Sequence, residues 1–503
     1  MKIMTRRDFM KNAAAAAFAT TVGTSLTSCA NTVAGLGLKK KKKRPNLVYV
    51  FPDQFRRQAM GFMNEDPVIT PNLDKFASES LVLTDVVSNF PLCSPYRAML
   101  LTGKYPAANG VLTNCHSRRA KLNNELRKSD HCISDVLHDN NYSLGYIGKW
   151  HLESPAEDAD TYGKYTWTPP DRRHGFDFWY SYGSFDRHLE PHYYVNSKTA
   201  DDVTEIREWS PKHETDVAVN YIKNTGGKYR ESNEPFALFV AYNPPHPAYK
   251  FVPEKYKKMY DGKTHKDLLT RPNLDPNGET SEKAKGWVKD YFAAVTGVDD
   301  QFGRILKCLK EQGLEDDTIV VFTADHGDMM GSHDLRSKNV WYEESMGIPF
   351  IIRWPGHIKP GKDNLLLSTP DNMPTLLGLM GLENKIPKAV QGKDYANALL
   401  GKKMERPDSA LYFYIKEGKP ESGNRGLRTH RYTFVIKRKK SGKKVKKGKA
   451  VKEEIILYDN KKDPYQMKNI ATENPKIVKD LTAELYRELK KINDPWSVIR
   501  NPN

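Results

Sequence analysis

Cys93, Pro95 and Arg97, standing at alternate positions, are the residues of this chain best suited to chemistry. Proline suits the first turn of a helix, where its missing N–H costs little. A helix beginning here puts Cys93 at its N-terminus, where unpaired backbone N–H groups favour an anion. Arg97 lies four residues on, on the same helical face, and can hold a nucleophile or the oxygens of an anionic substrate. A cysteine at a helix start is ordinary when taken alone. Its surroundings decide its meaning.

Four short β-rich apolar runs each lead into polar residues. Residues 46–51 precede Asp53-Gln54, 143–147 precede Lys149-Trp150-His151, 236–241 precede His246, and 318–322 precede Asp325-His326. Helical stretches, such as 129–139 and 289–312, lie between them. This alternation predicts an α/β fold, with a mostly parallel central sheet and helices on both faces. Ligands of such sheets bind beyond the carboxyl ends of the strands. All four clusters fall there, so one site is expected. After 380–399 come the runs 410–415, 432–436 and 454–458 and a helix over 474–492. They predict a smaller C-terminal α+β subdomain with an antiparallel sheet. The expected division is 1–29 export signal, 30–44 basic tether, 45–390 catalytic domain and 391–503 C-terminal subdomain. The Lys-rich segment 437–449 is expected to be a solvated hairpin loop.

The 503 residues are 38% hydrophobic, which excludes a polytopic membrane protein. The formal charge of +17 is concentrated in two places. Residues 1–44 carry ten Lys/Arg against one Asp, and 437–449 carry nine Lys/Arg and no acid, so the remaining body is nearly neutral. Neither run is interleaved with aromatic residues, so a nucleic-acid partner is not expected. Five cysteines in a chain this long do not make a disulfide scaffold. Cys115 and Cys132 could pair in an oxidising compartment, and Cys308 reads as an inert buried thiol in a helix. Thr5-Arg6-Arg7-Asp8-Phe9-Met10-Lys11 resembles a twin-arginine export motif. Leu26-Thr27-Ser28-Cys29 resembles a lipobox, which implies lipidation of Cys29, although Ser28-Cys29-Ala30 also reads as a cleavage site. The expectation is an exported protein, periplasmic or anchored to the outer membrane by lipid, with the export machinery as a partner.

The run Cys93-Ser94-Pro95-Tyr96-Arg97, followed by Leu100-Leu101-Thr102-Gly103, resembles the signature of the type I, formylglycine-dependent sulfatases of the alkaline-phosphatase superfamily. Tyr96 stands where serine is commonest. The pattern is most like exported bacterial polysaccharide sulfatases. The resemblance implies that a maturation enzyme oxidises Cys93 to formylglycine. One hydroxyl of the hydrated aldehyde would attack sulfur, and the other would later help expel sulfate. Asp53-Gln54 and Asp325-His326-Gly327 resemble the family's two metal pairs, usually Asp-Asp and Asp-Asn-Gly. They imply Ca2+, with Mg2+ left open, since a hard cation prefers oxygen ligands. His326 would bring a nitrogen, which leaves its own ligation open, and Gln54 is read as a ligand, with a hydrogen-bonding neighbour as the alternative.

Gly148-Lys149-Trp150-His151 and Asn243-Pro244-Pro245-His246-Pro247 resemble two further family elements. They imply that Lys149 neutralises sulfate, that His151 takes a proton and that His246 meets the leaving oxygen. Lys338, ahead of Tyr342-Glu343 and Ile348-Pro349, resembles a second sulfate-binding lysine. Leu427-Arg428-Thr429-His430-Arg431-Tyr432, Leu457-Tyr458-Asp459 and Asp463-Pro464 resemble the C-terminal subdomain, from which Arg428 or His430 could reach substrate. The expected activity is hydrolysis of sulfate esters on a sulfated sugar or polysaccharide, leaning towards 4-sulfated galactose-type units. Candidate sugar contacts are Asn114, His116, Arg118, Arg187, His188 and His192. Two other readings stay open: a phosphodiesterase or phosphonate monoester hydrolase of the same superfamily, and a non-catalytic polyanion-binding lipoprotein. The second has no need of Cys93.

Overall fold

The computed structural model describes residues 44–155, 162–438 and 453–499. The export motif, Cys29, residues 30–43 of the tether and residues 439–449 of the Lys-rich segment lie outside the described residues. The described chain falls within one compact unit, Arg44–Asn503.

Ten strands form the central sheet. They are β1 (Asn46–Val50), β2 (Leu81–Leu83), β3 (Ser143–Lys149), β4 (Phe178–Tyr182), β5 (His192–Val195), β6 (Thr204–Glu205), β7 (Phe236–Ala241), β8 (Thr318–Thr323), β9 (Phe350–Arg353) and β10 (Gly361–Asp363). Their order is β10-β2-β9-β8-β1-β7-β3-β4-β5-β6. The central five, β8, β1, β7, β3 and β4, are parallel. Antiparallel pairs flank them at β8–β9 and β4–β5. The expected architecture is therefore present, with a mixed periphery. Every residue of β1, β7 and β8 is buried. That is why these strands read as continuous apolar runs rather than alternating ones, since helices cover both faces. Helices Pro71–Ser78, Ser210–Lys223 and Val288–Glu311 form one packed group, and Cys93–Thr102, Ile133–Asp139 and Asn372–Leu379 belong to another. Val288–Glu311 buries Tyr291, Val295, Val298, Phe302, Ile305 and Leu309, the stripe its 3.6-residue period requires.

A second sheet follows: β11 (Ser409–Tyr414), β12 (Asn424–Thr429), β13 (Tyr432–Arg438) and β14 (Glu453–Asp459), paired antiparallel in chain order. The sequence predicted three of these strands. β12 was missed because Asn424-Arg425-Gly426-Leu427-Arg428-Thr429 has one large apolar residue, yet five of its six residues are buried. Its arginines are buried as ion pairs, Arg425 with Asp494 and Arg428 with Glu343. Arg438 pairs in register with Glu453, so residues 439–452 connect neighbouring antiparallel strands. Helix Pro475–Lys491 buries Leu481, Leu485 and Leu489, spaced by four, against this sheet. The same core includes Phe90, Leu92 and Met99, so the second sheet packs on the helix that carries Cys93. Burying each such side chain contributes about 1.5–3 kcal/mol.

Cys93, Cys115, Cys132 and Cys308 are all buried free thiols, so the bond left open between Cys115 and Cys132 is not formed. No described helix is long and apolar enough to cross a membrane.

Candidate active site

The helix predicted from Cys93 runs Cys93–Thr102, and all ten residues are buried. It starts directly after an extended Leu92 and stops at Gly103, which is left-handed and donates its N–H to Met99 O. Asp53 and Gln54 follow β1, Lys149 ends β3, Asn243 and His246 follow β7, and Asp325 and His326 follow β8. These four strands are adjacent and parallel, so their carboxyl ends face the same place. Two glycines permit the close approach. A Cβ at Gly148 would lie 2.3 Å from Ala241 O on β7, and one at Gly327 would lie 2.0 Å from Glu344 O. Gln54 and His151 have φ of 67° and 58°, a left-handed backbone unusual for such residues. Strained positions of this kind cost about 1–3 kcal/mol and cluster at functional sites.

Asp53 is the hub. Its carboxylate is 2.7 Å from Lys149 Nζ, 3.3 Å from an Arg97 guanidinium nitrogen, 3.6 Å from His326 Nε2 and 3.9 Å from Lys338 Nζ. Arg97 also donates to Asp325 Oδ2 at 3.1 Å and to Lys149 O at 2.6 Å. Its guanidinium rests 5.0 Å above the Phe51 ring. The Cys93 sulfur lies 3.3 Å from His326 Nε2 and 3.7 Å from Asp53 Oδ1. Asp53, Cys93, Asp325 and His326 are all buried.

The electrostatics follow from this packing. Burial raises the Asp53 carboxyl, but Lys149, His246, Lys338 and His326 outweigh it and hold Asp53 well below the usual carboxylate range. Burial and the neighbouring Asp53 push Asp325 up to about 7. For Cys93, burial and Asp53 raise the thiol, yet Lys149, Lys338 and His326 bring it down to about 6. Burial, aided by the two lysines, pushes His246 and His151 well below the ordinary histidine value. His246 Nδ1 sits 2.8 Å from Pro247 O and donates to it, which leaves Nε2 as its reactive nitrogen. Both ring nitrogens of His151 are buried without a hydrogen-bond partner.

The donors fit a divalent cation. Asp325 is hard to ionise beside Asp53, and an added cation would relieve that repulsion. The His326 ring is held at both nitrogens. Nδ1 donates to Gly327 O at 3.1 Å, and Nε2 points between the two carboxylates, 3.5 Å from Asp325 and 3.6 Å from Asp53. A ligand histidine commonly has its second nitrogen held in this way. The Gln54 backbone N–H donates to Asp325 Oδ1 at 3.0 Å. Its side-chain oxygen accepts from Lys338 and its amide nitrogen donates to Asp328, which also accepts from Tyr249.

The candidate sugar contacts separate into groups. His116 stacks on the Tyr162 ring at 4.4 Å, and Arg118 lies over the same ring at 5.2 Å. His116 is close enough to His151 to feel its charge. Asn114 instead accepts from the Ser94 N–H at 3.1 Å, in the first turn of the Cys93 helix. His188 lies against Asn243 and Asp186. Arg187 adjoins them in sequence. His192 is buried, with Nε2 on Lys164 O at 3.0 Å and its ring against Tyr165. Arg428 is turned to Glu343 at 2.7 Å and His430 to Asp85 at 2.9 Å, so in this structure both serve contacts between the second sheet and the main body. Residues that sequence reasoning passed over are Asp186, Asp328 and Tyr249. Asp186 stands directly before Arg187-His188, and a carboxylate there was the available signal.

Comparison with known proteins places the chain. Residues 45–382 match the sulfatase family, and residues 331–494 match the C-terminal region of N-sulphoglucosamine sulphohydrolase. The chain belongs to the sulfatase family, and it is a sulfuric ester hydrolase. It is 42% identical over 494 residues to an endo-4-O-sulfatase of Bacteroides thetaiotaomicron, covering 91% of this chain and 94% of that one. It is 31% identical to an ulvan-active sulfatase of Formosa agariphila, covering 97% of this chain and 89% of that one. A solved structure from work on the metabolism of multiple glycosaminoglycans by Bacteroides thetaiotaomicron superposes with a TM-score of 0.82 at 42% identity, covering 91% of this chain and 98% of that chain.

Proposed function

We propose that this sulfatase removes 4-O-sulfate from galactose-configured units within a sulfated polysaccharide of the glycosaminoglycan type. The observation that carries the reading is full-length similarity to an endo-4-O-sulfatase, with Cys93, Arg97, Lys149, His151, His246 and Lys338 all present. Oxidation of Cys93 by a maturation enzyme gives formylglycine, whose hydrate supplies a nucleophilic oxygen that can later release sulfate. Asp53, Asp325 and His326, with Gln54 beside them, would hold calcium, which when bound supplies positive charge that acidifies the nucleophile and draws in a sulfate oxygen.

The chain's other side chains have separate tasks. Arg97 ties the Cys93 helix to both carboxylates and fixes the nucleophile's position. Lys149 and Lys338 neutralise the ester's sulfate group. An anionic ester beside them offsets the charge that depresses His246. Nε2 of His246 then takes up a proton and hands it to the leaving sugar oxygen. His151, buried and without a partner, receives a proton as sulfate is expelled. His116, Arg118 and Tyr162 hold the sugar near His151, and Arg187 approaches it from the other loop. The leader, with its twin-arginine and lipobox resemblance, carries the enzyme to the periplasm or outer membrane, where polymeric substrate arrives.

The test uses enzyme matured with a formylglycine-generating partner and saturated with calcium. Sulfate release is compared on chondroitin tetrasaccharides carrying 4-O- or 6-O-sulfate, with an aryl phosphate diester in parallel. A 4-O preference of about a hundredfold or more is expected. Preference for the 6-O isomer overturns the position assigned, and faster turnover of the diester overturns the sulfate-ester reading. Mass analysis of the peptide containing Cys93 should find the aldehyde.

A further inference from the structure

Asn243 stands just before the Pro-Pro-His run and is fully buried, yet the reaction described above gives it no task. Its side chain joins three others. Oδ1 lies 3.4 Å from Lys149 Nζ. Nδ2 lies 2.6 Å from Asp186 Oδ1 and 3.1 Å from His188 Nε2. Asp186 and His188 are themselves 4% and 3% exposed, and they approach each other at 3.4 Å. All come from different elements: Lys149 from the end of β3, Asn243 from beyond β7, and Asp186 and His188 from the loop between β4 and β5.

An amide can sit either way round in the same space, and only its partners choose between the two. Here the choice is forced. The amide nitrogen of Asn243 donates to the Asp186 carboxylate, and His188 Nε2 stands beside it. The carbonyl oxygen must then face Lys149. Reversed, the amide would present N–H groups to an ammonium and an oxygen to a carboxylate. Asp186 sets the orientation and Asn243 passes it to Lys149. Among the described residues, Lys149 Nζ has one other close anchor, the Asp53 carboxylate at 2.7 Å. A single anchor lets a flexible four-carbon stem swing about it. A second acceptor on another side removes that freedom.

We propose that Asn243, Asp186 and His188 form a buried positioning relay that fixes the Lys149 ammonium for the sulfate group. The proposal rests on the role given to Lys149 above. It separates His188 from the sugar contacts and gives it a place behind the site. Asp186 Oδ2 is buried without a hydrogen-bond partner. A carboxylate accepts from the amide whichever way it turns and never competes as a donor.

A double-mutant cycle tests this, using calcium-loaded, formylglycine-bearing enzyme. Sulfate release is followed on a 4-O-sulfated chondroitin tetrasaccharide and, independently of the glycan assignment, on an aryl sulfate. Asn243→Leu should lower kcat/KM by about 10- to 100-fold, the size of a misplacement near one ångström. In a Lys149→Met background the same change should cost less than about twofold, because there is no ammonium left to position. Equal losses in the two backgrounds would show a role independent of Lys149 and overturn the proposal, as would an Asn243→Leu enzyme within about twofold of the parent. If Asn243→Leu does not fold, position 186 carries the test. Asp186→Asn keeps an acceptor and should stay within about threefold, while Asp186→Leu should lose tenfold or more. Asp186→Leu within about threefold of the parent overturns the relay. Lys149→Met retaining more than about a tenth of activity would sink the Lys149 role itself, and the relay with it. A severe Lys149→Met with a harmless Asn243→Leu sinks the relay alone.

Discussion

At the end of β1, Asp53 is approached by Lys149, Arg97, His326 and Lys338. Ahead of β9, Glu343 is approached by Arg57 at 2.7 Å and Arg428 at 2.7 Å. Both carboxylates are buried among cations, and their neighbourhoods differ in completeness. Glu343 gives one oxygen to each arginine. Burial would raise its carboxyl, but Arg428 and Arg57 together bring it down to about 2. That network is satisfied as it stands, and it fastens β12 to the main body. Around Asp53 the cations meet both oxygens, while Asp325 beside it is pushed up to about 7. The arrangement needs a further cation at the carboxylates and an anion at the lysines. The same residue types thus make a fastening in one place and a binding site in the other. Whether the charges satisfy one another decides which.

The largest effect that could break this comparison is at the nucleophile. Cys93→Ala should lower kcat by about three orders of magnitude or more, since a covalent route is lost. Its melting temperature should stay close to that of the parent, because the surrounding charges remain. Sulfate release and a thermal melt decide the matter, and activity within about tenfold of wild type would end the covalent reading. Next comes the cation. Chelation should abolish turnover, and calcium should restore it better than zinc, given two carboxylates and one histidine at the site. Calcium should also raise the melting temperature, since it binds only the folded state. Full recovery with zinc and none with calcium would mean the donor set is misassigned.

The fastening network gives a smaller effect, and one on stability rather than rate. The Glu343 carboxyl is depressed on folding, so its contribution is complete above the unfolded value near 4.5 and fades as pH falls through about 2. Glu343→Gln should therefore cost about 3 kcal/mol at neutral pH. The stabilities of mutant and parent should converge in acid, most of the change falling between pH 4.5 and 2. Denaturant melts across that range check it, and a pH-independent difference would count against the ion pairs. Smallest of all should be His430→Ala. Its contact to Asp85 is 38% exposed on the histidine side, so a cost under about 1 kcal/mol is expected, with kcat unchanged.

The strands bearing the site were legible because parallel strands buried on both faces show as apolar runs with polar residues at their ends. Asp53 and Asp325 were legible for the same reason, and Cys93 and Arg97 were legible from the helix start and the family signature. β12 was not, since its buried residues include arginines whose partners, Asp494 and Glu343, lie 69 and 85 positions away. Arg428 and His430, read as candidates to reach the substrate, face Glu343 and Asp85 instead. His188 read as a sugar contact, and nothing in the sequence showed that Asn243, 55 positions on, would sit against it.

By itself, then, the sequence determined the chemistry available: a modifiable cysteine at a helix start, an arginine one turn on, and acids, lysines and histidines beyond four strands. Those follow from local periodicity and residue type. Tertiary structure alone decided which charge meets which. Pairing between distant side chains depends on distances of a few ångströms that no spacing along the chain encodes. It set His326 between the two carboxylates, turned Glu343 into a fastening, and placed Asn243 with its oxygen towards Lys149.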